Sequence, residues 1–395
     1  MSIKAARITE AQAALSIASA AEVVRDVASA HAHDVDRKAR FPAEAIAALR
    51  AEKLLSAAVP RTHGGMGASL GELVEVCETL GRACASSGMT YAMHCIQVAS
   101  IVRHSQGVTQ FEEYLRRLAE EQRLIASVTS EVGTGGDLQT SMTHLEPLAE
   151  EGYEVEKTTT ASSYCEYADD LLLTARRHEA AAPNDQVLAL LCSGGYAVLD
   201  VGEWDALGMR GTCSPPARIK GQMDSWQTLP DPFREIATVT MIPYSHTLWA
   251  GVWLGIAADA YERARRFLQI RSRKDPDGSI VAANRLAALA GRLSGLRARL
   301  AESVAKVEAR TPLDADTTTK TSEILAINDL KLEASETVVH VVSEAMRVIG
   351  IEAYKNAGEF SLSRHLRDAH SAPLMINNDR VQAANADLLL VYKGR

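Results

Sequence analysis

Apolar residues recur at three- and four-residue spacing over positions 44–55 and again over 70–85, the period of a helix with one face buried. Phe41-Pro42 reads as a helix start, and Val59-Pro60 with His63-Gly64-Gly65-Met66-Gly67 as the loop that follows. Between about 125 and 236 the pattern changes to short runs, DLLLT at 170–174, QVLALL at 186–191 and YAVLD at 196–200, punctuated by Gly, Pro and Asn. Runs of that length and punctuation are strands. After about 240 the chain returns to long stretches rich in Ala, Leu, Arg and Glu, at 249–271, 280–307 and 321–348, which predict a four-helix bundle. The pattern therefore predicts three domains: N-terminal helices over 1–124, a middle β domain over 125–236 and a C-terminal helical bundle over 237–395.

At the first junction lies Thr129-Ser130-Glu131-Val132-Gly133-Thr134-Gly135-Gly136-Asp137. Its glycines admit positive φ and close approach of a bound group, and its hydroxyls and amides supply donors for an anion or a ring carbonyl. The residues alone leave two readings open, a cofactor loop or a plain domain junction.

Composition narrows the partners. A net charge of −8, with both signs interspersed, gives no basic face for nucleic acid or an anionic membrane, so a small-molecule partner is expected. The six cysteines are scattered without CxxC or Cys/His spacing suited to zinc, so we expect reduced thiols and no metal. The N-terminal stretch lacks a basic n-region and a continuous apolar core, no apolar run approaches the roughly 20 residues of a membrane span, and a cytoplasmic location is expected.

Four short motifs, in order and spread over nearly the whole chain, resemble the acyl-CoA dehydrogenase family. Val59-Pro60-Arg61-Thr62-His63-Gly64-Gly65-Met66-Gly67 resembles its VPxxYGGxG, and residues 129–137 its flavin-contacting TEPxxGSD loop. Leu207-Gly208-Met209-Arg210-Gly211-Thr212-Cys213-Ser214 resembles LGxRGTxS, and Arg367-Asp368-Ala369 the C-terminal RDA. The resemblance implies a mostly α fold with a central β-barrel or sandwich and a C-terminal four-helix bundle. It also implies an FAD cofactor, a homodimer or homotetramer, and an electron-transfer or reductase partner. Thr129 and Ser130 would lie against the flavin pyrimidine edge, with Gly135 and Gly136 near its phosphates or the substrate thioester. Ser162 or Ser163 would take the place of a Thr in the next flavin contact, and Arg271 and Arg273 stand roughly where an Arg holds the adenosine half of FAD.

The departures concern chemistry. Aligning RDA on Arg367-Asp368-Ala369 puts Ile376 where the family usually has its catalytic Glu, and the alternative base position, at the start of the first bundle helix, falls near Ser245-His246. A positioned base contributes on the order of 10²–10⁴-fold in rate. Candidate replacements are Glu359, the nearest upstream carboxylate, and His94 and His370, which can titrate near neutral pH; His246 is a further candidate. Glu131 is expected to be structural. Arg210 would orient a thioester or flavin group, or else form an ion pair at a domain joint, and Asn377 and Asn378 would hydrogen-bond a substrate without deprotonating it.

The sequence leaves three functions open. The first is flavin-dependent α,β-dehydrogenation of an acyl thioester on CoA or a carrier protein. The second is a monooxygenase of the same fold using reduced flavin (FMN or FAD) and O₂. The third is a catalytically silent thioester-binding or scaffold protein.

Overall fold

The computed structural model describes residues 3–135, 137–274, 280–309 and 321–392, with side chains from residue 17 onward. Five helices come first: α1 (Ile3–Lys38), α2 (Ala43–Ala51), α3 (Leu70–Ala83), α4 (Ala85–His104) and α5 (Thr109–Glu121). The helix expected over 44–55 stops at Ala51 because Lys53 turns left-handed (φ 59°), and the apolar Leu54 and Leu55 reach the core from a short 3₁₀ turn instead. The single helix expected over 70–85 breaks at Cys84, whose extended backbone (φ −147°) separates α3 from α4.

The middle strands form two sheets. β1 (Ile125–Val128), β4 (Asp170–Arg176) and β5 (Gln186–Leu191) make one, in the order β1-β4-β5. β2 (Glu146–Pro147), β3 (Tyr153–Thr159), β7 (Ala217–Met223) and β6 (Tyr196–Leu199) make the other, in the order β2-β3-β7-β6. β1 pairs with β4 in parallel and the remaining pairs are antiparallel. β5 is buried along its whole length and β4 all but its last residue, as continuous apolar runs with both faces covered should be. β3 and β7 alternate instead, burying Val155, Lys157 and Thr159 on one strand and Ala217, Ile219, Gly221 and Met223 on the other.

The bundle begins with α6 (Phe233–Ile236), which runs through a π turn at Ala237–Met241 into α7 (Ile242–Ser272). Pro243 in the first turn of α7 has no N–H to return to the preceding turn, a common reason for a helix to widen. α8 (Ile280–Glu308), α9 (Thr321–Ile349), the short α10 (Ile351–Tyr354) and α11 (Ser363–Ala369), and α12 (Asn378–Val391) complete it. α7 is the central rod, packed on α9, α3, α8 and α4.

Charged clamps join the three parts. Arg123, just after α5, reaches both oxygens of the buried Asp170 at 2.6 and 2.7 Å, and Tyr114 donates to the same carboxylate at 2.8 Å. Arg367 on α11 grips both Asp36 oxygens (2.5 and 2.8 Å), while the neighbouring Asp368 accepts the Met209 amide at 2.7 Å. Gly208 makes that last joint possible, since a methyl there would drive into the Arg367 carbonyl oxygen. Among the described residues no helix is long and apolar enough to cross a membrane, no group of three or more His, Cys, Asp or Glu is placed to hold a metal ion, and the six cysteines are free thiols.

Candidate active site

The glycine loop leaves the end of β1 and is fixed by Glu131. Glu131, buried, accepts the Met142 amide (3.1 Å), the Thr143 amide (2.6 Å) and hydroxyl (2.7 Å), and the Ser141 hydroxyl (2.7 Å). Lys157, fully buried on β3, lies 3.2 Å from the same carboxylate and donates to Thr174 O and Oγ1 at 2.7 and 2.9 Å. Burial works against the Glu131 charge, but the Lys157 ammonium and the Ser141 and Thr143 donors outweigh it and hold the carboxyl below its ordinary range. Burial also pushes Lys157 down, to about 8. The loop is therefore pinned from behind, at Glu131, and its front is left open.

That front carries unused donors. Gly133 and Gly135 have positive φ (95° and 60°) on either side of Thr134, and among the described residues the amides of all three have no acceptor within the protein. The half-buried Thr129 hydroxyl likewise has no partner among the described residues. Alternating amides of this kind form a concavity for an anion or a carbonyl oxygen, which fits the polar edge or phosphate of a flavin. Gly136 lies outside the described residues.

Ser130 does a different job. Its hydroxyl donates to Ala161 O (2.5 Å) and accepts from Ala161 N (3.2 Å), tying the glycine loop to the turn after β3. In that turn Ser162 is fully buried, whereas Ser163 meets Ser214 Oγ at 2.8 Å and Ser214 meets Thr212 Oγ1 at 2.9 Å. Tyr164, left-handed at φ 43°, closes the turn through its hydroxyl on Ile125 O. Residues 129–135, 161–164 and 210–214 thus converge at one end of the β domain.

The C-terminal segment reaches the same place. Arg380 Nη2 donates to Gly135 O at 2.5 Å. Just before it, Ile376 holds a left-handed backbone (φ 49°) and is 40% exposed, unusual for a β-branched residue. Lys331 on α9, fully buried, donates to Ile376 O (2.6 Å) and Asn378 Oδ1 (2.5 Å), and Asn378 Nδ2 donates to Ser335 Oγ at 3.1 Å. Asn377 caps α12 by accepting the Asp379 amide at 2.9 Å. Asn378 is thus buried in a protein network, which leaves its amide oxygen closed to a substrate, whereas Asn377 is exposed and spends one lone pair of its oxygen on the cap.

The other candidates are dispersed. His94 is fully buried, with Nε2–H donating to Leu55 O (2.6 Å) and Nδ1 accepting the Ile125 amide (3.1 Å); burial lowers it to about 4. Both nitrogens are spent on backbone, so His94 joins α4 to β1 instead of presenting a base. Glu359 is exposed in the loop between α10 and α11, 3.5 Å from Arg266. His370 is exposed at the end of α11. Arg210 donates to Asp36 O and Ala206 O, both at 2.9 Å, and pairs with Asp205 at 3.5 Å. It is committed to the joint between the β domain and α1, not to a ligand. Arg271 and Arg273 are exposed at the end of α7. His246 is buried, with Nδ1 3.2 Å from Ile327 O and Nε2 without a partner among the described residues; burial lowers it to about 4.

Sequence reasoning passed over Lys157 and Lys331. Both carried a signal: Lys157 interrupts the inward-facing series of a strand, and Lys331 falls on the apolar stripe of Ile327, Leu330, Ala334 and Val338. A lysine at a core position needs a partner there.

Residues 9–122 match the acyl-CoA dehydrogenase N-terminal domain and residues 237–383 the acyl-CoA dehydrogenase C-terminal domain. The amino sugar nitrososynthase DnmZ of Streptomyces peucetius is 25% identical over 363 residues, covering 88% of this chain and 85% of that protein. The FMN-bound crystal structure of TdsC from Paenibacillus sp. A11-2 superposes with a TM-score of 0.83 at 19% identity, over 96% of this chain and 98% of that one. Butyryl-CoA dehydrogenase from Megasphaera elsdenii superposes with a TM-score of 0.80 at 18% identity, over 95% and 98%. With both helical domains matched and the three-part fold retained, the chain belongs to the acyl-CoA dehydrogenase family, whose members include acyl-CoA dehydrogenases and flavin monooxygenases.

Proposed function

We propose that this protein is a flavin-dependent monooxygenase that takes reduced flavin from a separate reductase and transfers one atom of O₂ to a small molecule. One observation carries the reading: neither position at which the family resemblance places a catalytic base holds a carboxylate. At the first, Ile376 offers a carbonyl already clamped by an ammonium. At the second, His246 is a neutral imidazole lowered to about 4 by burial, too weak a base to remove a proton α to a thioester near neutral pH. Glu359 faces solvent and Arg266.

Reduced flavin, when bound, supplies the two electrons that divide O₂ between the oxygenated product and water. The chain supplies the rest. Thr129 and the amides of Gly133, Thr134 and Gly135 bind the polar edge or phosphate, the Glu131–Lys157 pair holds that loop rigid, and Ser163 with Ser214 presents a hydroxyl pair beside it. Arg271 and Arg273 would reach a phosphate across a subunit interface. Exposed Leu389, Leu390 and Val391 on α12 favour a homo-oligomer. The likeness to DnmZ and, at 26% identity over 236 residues, to the dibenzothiophene monooxygenase of Rhodococcus erythropolis supports this reading.

The test is spectroscopic. Protein loaded with FMN or FAD is mixed anaerobically with a panel of acyl-CoA thioesters, then separately reduced and exposed to O₂. The proposal expects no bleaching by thioesters and reoxidation kinetics that differ from those of free flavin. Bleaching by a thioester restores the dehydrogenase reading, and bound flavin inert in both assays points to the silent one.

A further inference from the structure

We propose that Lys331 is a positioning residue, holding Ile376 in its left-handed conformation so that Arg380, four residues on, presses the glycine loop into its flavin-binding shape. The inference rests on the flavin reading above.

Lys331 is fully buried, and among the described residues no carboxylate lies within ion-pair distance of it. Burial lowers it to about 8, with Glu336 the opposing influence. An ammonium paired only with neutral oxygens gains less than a well-packed apolar side chain would in the same place, so its two hydrogen bonds serve geometry more than stability. What they fix is a turn that β-branched residues rarely adopt. Ile376 sits at φ 49° with 40% of its surface exposed, so packing does not hold it there, whereas the bond from Lys331 to its carbonyl does (2.6 Å). The second bond, to Asn378 Oδ1 at 2.5 Å, fixes the first residue of α12, and Ser335, one turn along α9, seconds it. With that helix start set, Arg380 Nη2 meets Gly135 O at 2.5 Å, between the open amides of the cofactor loop and the rest of its turn. A path of four named hydrogen bonds thus runs from the bundle core to the candidate flavin site.

The experiment compares wild type, K331M, N378A and the double variant K331M/I376G. Hydrogen exchange is followed in peptides covering 129–137 and 374–381, and FMN and FAD affinities are measured by fluorescence quenching. K331M is expected to keep its melting temperature, exchange faster in both peptides, and bind the better flavin about tenfold more weakly, the loss of one or two charge-assisted hydrogen bonds. Adding I376G should recover several-fold of that affinity, because glycine holds positive φ without a clamp; a merely structural lysine would not be rescued this way. N378A, which removes one of the two acceptors, should show the same changes at smaller size and serves if K331M does not fold. Unchanged exchange in both peptides overturns the clamp, as does a lowered melting temperature with unchanged exchange and affinity. If wild type binds neither flavin, the flavin reading falls, while the exchange data still decide whether Lys331 holds the turn.

Discussion

Replacing Lys157 with Met tests whether the glycine loop is held by its buried ion pair. The substitution keeps the length of the side chain and removes the ammonium that stands 3.2 Å from Glu131 and bonds Thr174. Glu131 is then a buried charge without a counter-ion. Removing one partner of a buried pair costs about 3–5 kcal/mol; because Glu131 keeps its bonds from Ser141, Met142 and Thr143, the lower end, about 3 kcal/mol, is expected. The loss should be local, since the pair fastens the loop and not the bundle. Native-state hydrogen exchange in peptides covering 129–143 reads it directly, and 3 kcal/mol corresponds to roughly 100-fold faster opening. The double variant E131Q/K157M removes the stranded charge and should recover about 2 kcal/mol of that. Acceleration of less than about fivefold in K157M, or a double variant as damaged as the single, would refute the reasoning.

Other expectations follow from the joints around the site. Asp368 is pushed by burial from its ordinary 3.8 up to about 6, with Arg364 and the Met209 amide opposing. The folded protein therefore keeps a proton that the unfolded chain releases, stability falls as pH rises from about 4 to about 6, and a penalty of about 3 kcal/mol persists above that. D368N, which can still accept the Met209 amide, should be more stable than wild type in urea at pH 7.5 and equal to it near pH 4; equal stability at both would count against the buried charge. G208A should separate the Met209 loop from α11, lowering the urea midpoint or abolishing soluble protein, and a midpoint within experimental error of wild type would sink that account. E359Q should leave turnover unchanged, measured as product formed per bound flavin, whereas a fall of about 100-fold or more would identify Glu359 as the base after all.

Much of the fold was legible in the pattern. β5 coincides with the apolar run at 186–191, and α7, α8 and α9 enclose the stretches expected at 249–271, 280–307 and 321–348, because long periodic segments specify their own secondary structure. Breaks were harder to read: Cys84 and Lys53 interrupt helices with no Pro or Gly to mark them, since tertiary packing sets their backbone angles.

Local order along the chain determined the three-part architecture, the glycine loop with its structural acid Glu131, and the missing carboxylates at 376 and 245–246. Those are properties of residue type and spacing, which act over a few neighbours. Which side chains are free to do chemistry was decided only in three dimensions. His94 looked like a candidate base until its two nitrogens met Leu55 and Ile125, contacts 39 and 31 residues away in the chain. Lys331 drew no notice in the sequence, yet the bundle closes over it and, among the described residues, leaves it Ile376 and Asn378 as hydrogen-bond partners. A side chain's availability depends on burial and on partners distant in sequence, and neither exists until the chain has folded.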